Sequence, residues 1–374
     1  MNTKELDDLG KPYRIYAESL EDEALRQFTD AMKLDCVVKG ALMPDAHTGY
    51  SLPIGAVVAV DGMVFPSFVG YDIGCGVCAL PTSYSVEAVR KHASNILEEI
   101  YQAVPVGFSH NLKETNWDAG KTIPCTQTLA GIFNKNGLFQ LGSLGGGNHF
   151  AEIGVDEEGK VWIVIHSGSR GIGHAVANHY MRLASGDGKA REGNFSLSTL
   201  SSEGKDYIQD LNFCLEFALE NRHEIMRRIV SVLDSFVFGR ADWSSLINRN
   251  HNHAEYKDGL WIHRKGATHA EEGMMGVVPG NMLDGSFIVK GKGNPDSLWS
   301  SSHGAGRVLG RKEAKRVLNM DTFIDSMAGV TAHITEDILD ESPLAYKSIF
   351  KVMEQQTELV DVVAHVRPII NVKG

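Results

Sequence analysis

The sequence predicts an α+β fold, a single compact domain over residues 1–374 with mixed β-sheets flanked by helices. Three observations carry this. Runs of strand type cluster at 37–80, 140–166 and 260–290, and helical blocks lie between them, the segregated order expected of α+β layers. One block, 202–236, repeats Leu211, Cys214, Phe217, Ala218, Ile225, Ile229 and Leu233 at intervals of three and four, the period of a buried helix face. No linker divides the 374 residues, although that length could supply two ordinary cores.

Composition narrows the class. A hydrophobic share of 43% with 22% charge belongs to a globular chain, not a disordered one. The polar, acidic start Met1-Asn2-Thr3-Lys4-Glu5 does not read as a secretory signal, and no apolar run is long enough to span a membrane, so a cytoplasmic location is expected. Five cysteines, an odd number, point to reduced thiols instead of a disulfide framework. The net charge of −11 excludes a general affinity for polyanions, so any nucleic-acid contact must be a local basic groove.

Taken in order, the chain begins with an amphipathic helix through Leu20, Ala24, Leu25, Phe28 and Met32,. Strands are expected from Val37, at Ile54–Val60 and at Met63–Val69,. Asp45 and His47, two apart, would share a face of an extended segment, either as ligands, as an orienting pair, or as part of a plain turn. In Asp72-Ile73-Gly74-Cys75-Gly76-Val77-Cys78 the C-x-x-C has no second half and no following helix, which disfavours a redox pair or a zinc knuckle. Asp72 and Cys75 could supply a carboxylate and a thiolate to one ion; a buried thiol in a glycine turn is the structural alternative.

Residues 86–103 read as a helix. The stretch 141–173 then joins a glycine-dense loop to His149 at the start of one strand, and the apolar run Val161–Ile165 to His166 at the end of the next. Two imidazoles on neighbouring strand ends suit a metal ion, although a lone histidine there is as a rule structural. The glycine loop matches neither a Walker nor a dinucleotide pattern. Ser169 and Arg170 at the start of the following helix suit an anion, which makes Arg170 the candidate phosphate contact.

The 202–236 helix has Ser202 as its candidate cap,. His251 and His253 are expected on one side of an extended segment, and Leu260–Thr268 as a strand ending in a basic turn. A Pro279-Gly280-Asn281-Met282 turn precedes a strand at Ser286–Val289. His303, in the small-residue loop Ser300–Arg307, is expected to be accessible, with nearby basic residues to attract phosphate. It could act as a covalent nucleophile; a loop leading into a helix is the bland alternative. A helix through Met353 and Leu359 and an apolar C-terminal strand suggest a terminus that is tied down.

The ordered set Pro44-Asp45-Ala46-His47, Asp72–Gly76, Gly147–Glu152, His166–Arg170, His251-Asn252, Pro279–Met282, His303–Arg307 and Val372-Lys373-Gly374 resembles the RtcB family of GTP-dependent RNA ligases along nearly the whole chain. The resemblance implies an enzyme using GTP and two Mn(II) ions to join RNA ends bearing a 2′,3′-cyclic phosphate or 3′-phosphate to 5′-hydroxyl ends. The RNA would be broken tRNA or rRNA in splicing or repair, in some relatives with an activating protein partner. It implies Asp72, Cys75, His149, His166 and His251 as metal ligands, with Cys75 shared, and His303 as the residue that takes GMP. It also implies Asn148, His149, Phe150, Ala151, Glu152, His251, Asn252, Pro279, Gly280, Asn281, Met282, Ser286, Gly304, Ala305, Gly306 and Lys373 as guanylate-binding positions. Cys78 has no such role and reads as a structural thiol.

The chain departs from the family pattern in being short, in Asn281 where serine is usual, and in Leu283-Asp284-Gly285. These changes bear on guanylate grip and substrate choice but remove no ligand. Ligand type alone would equally suit zinc or cobalt. The alternatives are a metal-dependent phosphodiesterase or phosphatase acting on RNA ends without guanylylation, and a non-catalytic RNA-binding relative.

Overall fold

In the computed structural model, which describes residues 3–374, the expected helices and strands are present with instructive shifts; Met1 and Asn2, the start of the polar N-terminus, lie outside the described residues. β1 (Tyr13–Ile15) precedes helix α1 (Asp22–Met32), which buries Ala24, Phe28, Ala31 and Met32. β2 (Val37–His47) and β3 (Ile54–Val60) follow. The run Met63–Val69, expected as a strand, is a two-residue strand at Met63–Val64 and a helical turn at Pro66–Val69. Pro66 begins that turn, where its fixed φ and missing N–H suit a helix start.

After β4 (Gly76–Pro81), the expected helix over 86–103 is two, Val86–Lys91 and α2 (Ala93–Ala103), because His92 between them leaves helical geometry at φ −104°, ψ 10°. Next come α3 (Gln127–Gln140), the hairpin β5 (Phe150–Val155) and β6 (Val161–Ser167), and α4 (Arg170–Ser185). The helix α5 (Ser202–Phe236) is capped by Ser201, not Ser202: the Ser201 hydroxyl accepts from the Gly204 N–H at 3.1 Å,. β7 (Ile247–Asn250), β8 (Asn252–Lys257), β9 (Leu260–Lys265), β10 (Met275–Pro279) and β11 (Ser286–Gly291) follow. The helix expected through Met353 and Leu359 stops at Glu354 (α6, Ile349–Glu354); a turn in which the Leu359 N–H donates to the Gln356 carbonyl leads into β12, a strand covering Val360–Lys373.

Among the described residues the labelled strands form two larger sheets, beside two two-stranded ones, of which one contains Met63–Val64. The smaller of the two larger sheets has the order β1-β2-β3-β9-β8, antiparallel except for the parallel β1–β2 pair. The larger runs β10-β11-β12-β5-β6-β4-β7, antiparallel throughout, with the short strand Thr331–Ala332 added parallel to β12. The C-terminal strand, whose extent periodicity did not reveal, thus lies inside this sheet. α2 and α5 pack on one face of it, burying Ile96, Ile100, Ile225, Ile229 and Leu233 against Ile153, Ile163, Ile165 and Ile370; each such side chain contributes roughly 1.5–3 kcal/mol of burial. The opposite face carries Val77, Val164, Val277, Ile288 and Val366. The smaller sheet packs one face under α1 and the other against β10, β11 and α6.

This register decides where polar side chains meet. Phe150 pairs with His166 across β5–β6, and Gly76 pairs with Ser167 on one side and Asn250 on the other. The residues just outside those pairs are His149, Cys75 and His251.

Candidate metal and nucleotide centre

Cys75 stands at the middle of the convergence. Its Sγ lies 3.4 Å from His149 Nε2 and 3.1 Å from His166 Nε2. His149 Nε2 is 3.0 Å from Asp72 Oδ2, and His166 Nε2 is 3.2 Å from His251 Nε2. The backbone sets these positions. The His251 N–H donates to the Cys75 carbonyl at 2.8 Å, and the Cys75 N–H to that of Asp72. A side chain at Gly76 would collide with the Arg249 and Asn250 backbone, so only glycine lets β7 approach β4 this closely. The His166 Nδ1 lies 3.1 Å from the Asn148 carbonyl, which assigns its proton to Nδ1 and turns the Nε2 lone pair inward.

The donor set fits a transition-metal centre. Burial pushes His166 and His251 well below the ordinary imidazole range, reinforced by the neighbouring imidazoles, so both stay neutral, the ligating form. Burial would raise the Asp72 carboxyl, but His149 beside it outweighs this and holds it at about 2. Burial and then Asp72 push the Cys75 thiol well up. Lone-pair-bearing sulfur, nitrogen and oxygen atoms therefore face one another in a buried space, and a cation would both satisfy them and convert the thiol to a thiolate.

His303 lies beside this cluster, its ring centroid 4.9 Å from that of His251. Its side chain is only 14% exposed, a correction to the accessible loop histidine expected above: Asp45 and His251 enclose it. Asp45, fully buried, places Oδ2 2.6 Å from His303 Nδ1 and accepts from the His303 and Gly304 N–H groups at 3.2 Å each. Burial would raise the Asp45 carboxyl, but His303, His47 and Lys347 outweigh it and hold it below its ordinary value. Of the pair Asp45 and His47, Asp45 alone contacts His303; His47 Nδ1 lies 2.9 Å from the Asp45 carbonyl and its side chain lines the neighbouring cavity. The Nε2 of His303 has no protein hydrogen-bond partner among the described residues.

A cavity of about 200 Å³ opens beside His303. Asn148, Phe150, Glu152, Pro279, Gly280, Asn281, Met282, Gly304, Ala305, Gly306 and Lys373 line it. Strand alternation separates their neighbour Ala151, which faces the α2–α5 core,. Ser286 stands behind the wall with its hydroxyl 3.4 Å from Glu152. Asn252 braces the Asp72–Cys75 loop instead, donating to the Asp72 carbonyl and accepting from the Gly266 N–H. Burial raises Glu152 to about 8 despite its Ser286, Asn371 and Lys373 neighbours. Asn281 caps its own turn, accepting from Leu283 N and Asp284 N.

Several participants escaped sequence reading. Glu341 gathers Lys373 Nζ (2.5 Å), Arg311 Nη1 (2.7 Å), Arg307 Nη1 (3.1 Å) and Tyr346 OH (2.6 Å) on the cavity wall. Arg222, fully buried in α5, donates to the Gly74 and Ser167 carbonyls and to the Asn248 and Asn250 side chains. Its signal was a charged residue on the apolar face of the helix; that of Asn371, opposite Glu152 in the ladder, was a polar residue inside Ile369–Val372. Arg170, with φ +59°, holds Ser143 Oγ through Nε and the Gly107 carbonyl through Nη2.

Two expectations are corrected. His251 and His253 do not share a side: the chain breaks between β7 and β8 at His251, and His253 pairs with Arg264 and stacks on His269. The basic turn at Arg264-Lys265 is internal, Arg264 bound to Glu255 and Lys265 to Glu192. Cys78 is a buried thiol pushed up to about 12 by burial, as expected of a structural residue.

Thiol and imidazole donors in a buried cluster, with the Asp72 carboxylate at its edge and a histidine beside a cavity, form a group that could hold a metal ion. A family model described as tRNA-splicing ligase RtcB matches residues 27–374. The RNA-splicing ligase RtcB of Escherichia coli K12 is 33% identical over the full length of both chains. The tRNA-splicing ligase RtcB of Pyrobaculum aerophilum is 31% identical over 97% of this chain and 95% of that one. The chain belongs to the RtcB family of RNA ligases. The alignment with the Escherichia coli relative spans 413 positions against 374 residues here, so the shortness lies in internal gaps. Among the described residues, no helix is long and apolar enough to cross a membrane.

Proposed function

We propose that residues 1–374 act as one cytoplasmic ligase domain that uses GTP and two Mn(II) ions to join RNA 2′,3′-cyclic phosphate or 3′-phosphate ends to 5′-hydroxyl ends, in tRNA splicing or RNA repair. The observation that carries it is His303, oriented by Asp45 at 2.6 Å and adjoining the Cys75 cluster. Asp72 and His149 on one side of Cys75 and His166 and His251 on the other would hold the two ions, with Cys75 between them. Bound there, the ions would neutralise crowded phosphates and align the attacking group.

The steps follow from the chemistry of phosphate. His303 Nε2 attacks the α-phosphorus of GTP, pyrophosphate leaves, and the imidazole, now bearing GMP with its proton on Nδ1, is a cation that Asp45 stabilises. A 3′-phosphate is a poor electrophile, so its oxygen first takes GMP from His303 to form an RNA-3′-pp-guanosine. The 5′-hydroxyl then attacks the terminal RNA phosphorus and GMP leaves. A cyclic phosphate needs prior opening by water. Glu152 faces the cavity as an acceptor for the guanine N–H edge, and Lys373, held by Glu341, supplies a donor. Arg170 serves an RNA phosphate, and an activating protein would act on this same cycle.

The test is transfer of label from α-labelled GTP to the protein with manganese. An acid-labile, alkali-stable adduct absent from His303→Ala supports the proposal. If the wild type takes no label with manganese, cobalt or zinc, with or without a candidate activator, the guanylylation step is refuted and RNA-end phosphodiesterase activity is the reading to assay.

A further inference from the structure

Phe108 and Leu112 stand almost wholly in solvent, at 106% and 96% relative exposure. Neither residue belongs to any assigned site. They lie on a loop that is braced at both ends. On one side the Leu144 N–H donates to the Pro105 carbonyl at 2.8 Å, the Gly107 N–H donates to the Gly145 carbonyl at 2.9 Å, and Val106 bridges Gly145. On the other, Asn111 Nδ2 donates to the Phe139 and Leu141 carbonyls, and its Oδ1 accepts from Arg228 at 2.7 Å. The short turn from Phe108 to His110 therefore projects from a fixed base.

That base adjoins the metal cluster. Gly107 offers its carbonyl to Arg170 Nη2 at 2.7 Å. A Cβ at Gly145, whose φ is +96°, would overlap both Arg170 Nη1 and His149 Nδ1, so loop, arginine and candidate ligand are packed side by side. His110, Lys113 and Glu114 are exposed in the same loop, and the His110 ring meets Phe139 edge-on. On a chain of net charge −11, Lys113 in the loop and Arg170 at its base are the cations this segment offers to a polyanion. An aromatic face beside cations is the arrangement that holds unpaired nucleobases: the ring stacks on the base and the cations track the backbone. Burial against protein would need a broader apolar patch than two separated side chains provide.

We propose that Phe108 is a stacking platform for an unpaired base next to the RNA break, with Arg170 and Lys113 along its phosphates. The proposal rests on the ligase reading. Stacking accepts any base, so the platform selects single-stranded ends by geometry and not by sequence.

The experiment uses the full chain with a single-stranded RNA oligonucleotide ending in a 3′-phosphate, and a blunt duplex as control. Phe108→Trp should give indole quenching with the single strand and little with the duplex. Phe108→Ala should weaken binding of the single strand and raise the RNA KM by about fivefold or more, and Phe108→Tyr should restore both. Label transfer from GTP, a step without RNA, should proceed near the wild-type rate in all three. Unchanged RNA affinity in Phe108→Ala, equal quenching by duplex, or a change in self-association instead of RNA binding would overturn the proposal. Absence of label in the wild type would count against the ligase reading alone, because the binding measurements need no joining.

Discussion

Replacing Asp45 by Asn isolates the charge that orients His303. The carboxylate is fully buried; Oδ2 accepts from the His303 and Gly304 N–H groups and lies 2.6 Å from His303 Nδ1 as an ion-pair contact outside hydrogen-bond geometry, whereas Oδ1 has no partner. The amide oxygen of Asn can take over the Oδ2 contacts. Its NH₂ must then occupy the Oδ1 position, buried and without an acceptor, which costs about 1–3 kcal/mol of stability. During guanylylation the His303 ring becomes cationic, and a neutral amide in place of a carboxylate forfeits a charge-assisted bond of about 1.5–3 kcal/mol. At 1.36 kcal/mol per decade this predicts labelling roughly 10- to 150-fold slower. The assay is the time course of label transfer at saturating GTP, with unfolding in urea measured on the same protein. Labelling at the wild-type rate by a folded Asp45→Asn variant would refute the orienting role.

Two more outcomes follow from buried groups. Arg222→Met should leave the Gly74 and Ser167 carbonyls unsatisfied, lowering unfolding free energy by about 2–5 kcal/mol in urea and weakening manganese binding about 10- to 100-fold in a titration; unchanged values of both would show that the tie between strand ends is dispensable. Glu152, raised from an ordinary 4.5 to about 8 by burial, holds a proton in the folded chain that the unfolded chain has released. Its contribution to stability is therefore largest below about pH 4.5 and is lost as pH rises to about 8. Guanine donors favour the carboxylate, so GTP should bind more tightly from pH 6 to 8 with proton release, a trend that calorimetry in two buffers would detect and that Glu152→Gln should flatten.

The sequence by itself carried the family, the candidate donor residues and much of the local structure. Histidines at the ends of apolar runs, an Asp and a Cys in a glycine turn, and the three-four stripe of α5 are visible because periodicity and turn residues act over a few neighbours. Their order along the chain was enough to suggest the family. The fold decided which groups meet. Asp45 reaches His303 across 258 residues, and Glu341 gathers Lys373, Arg307 and Arg311 from separate segments. His251 and His253, two apart, part because β7 ends in the larger sheet and β8 begins in the smaller one. β12 entered the sheet interior through pairing with β5 and β11, which no local pattern encodes. Contacts of this kind are set by closing long loops around a shared core, and their energy appears only when the core has formed.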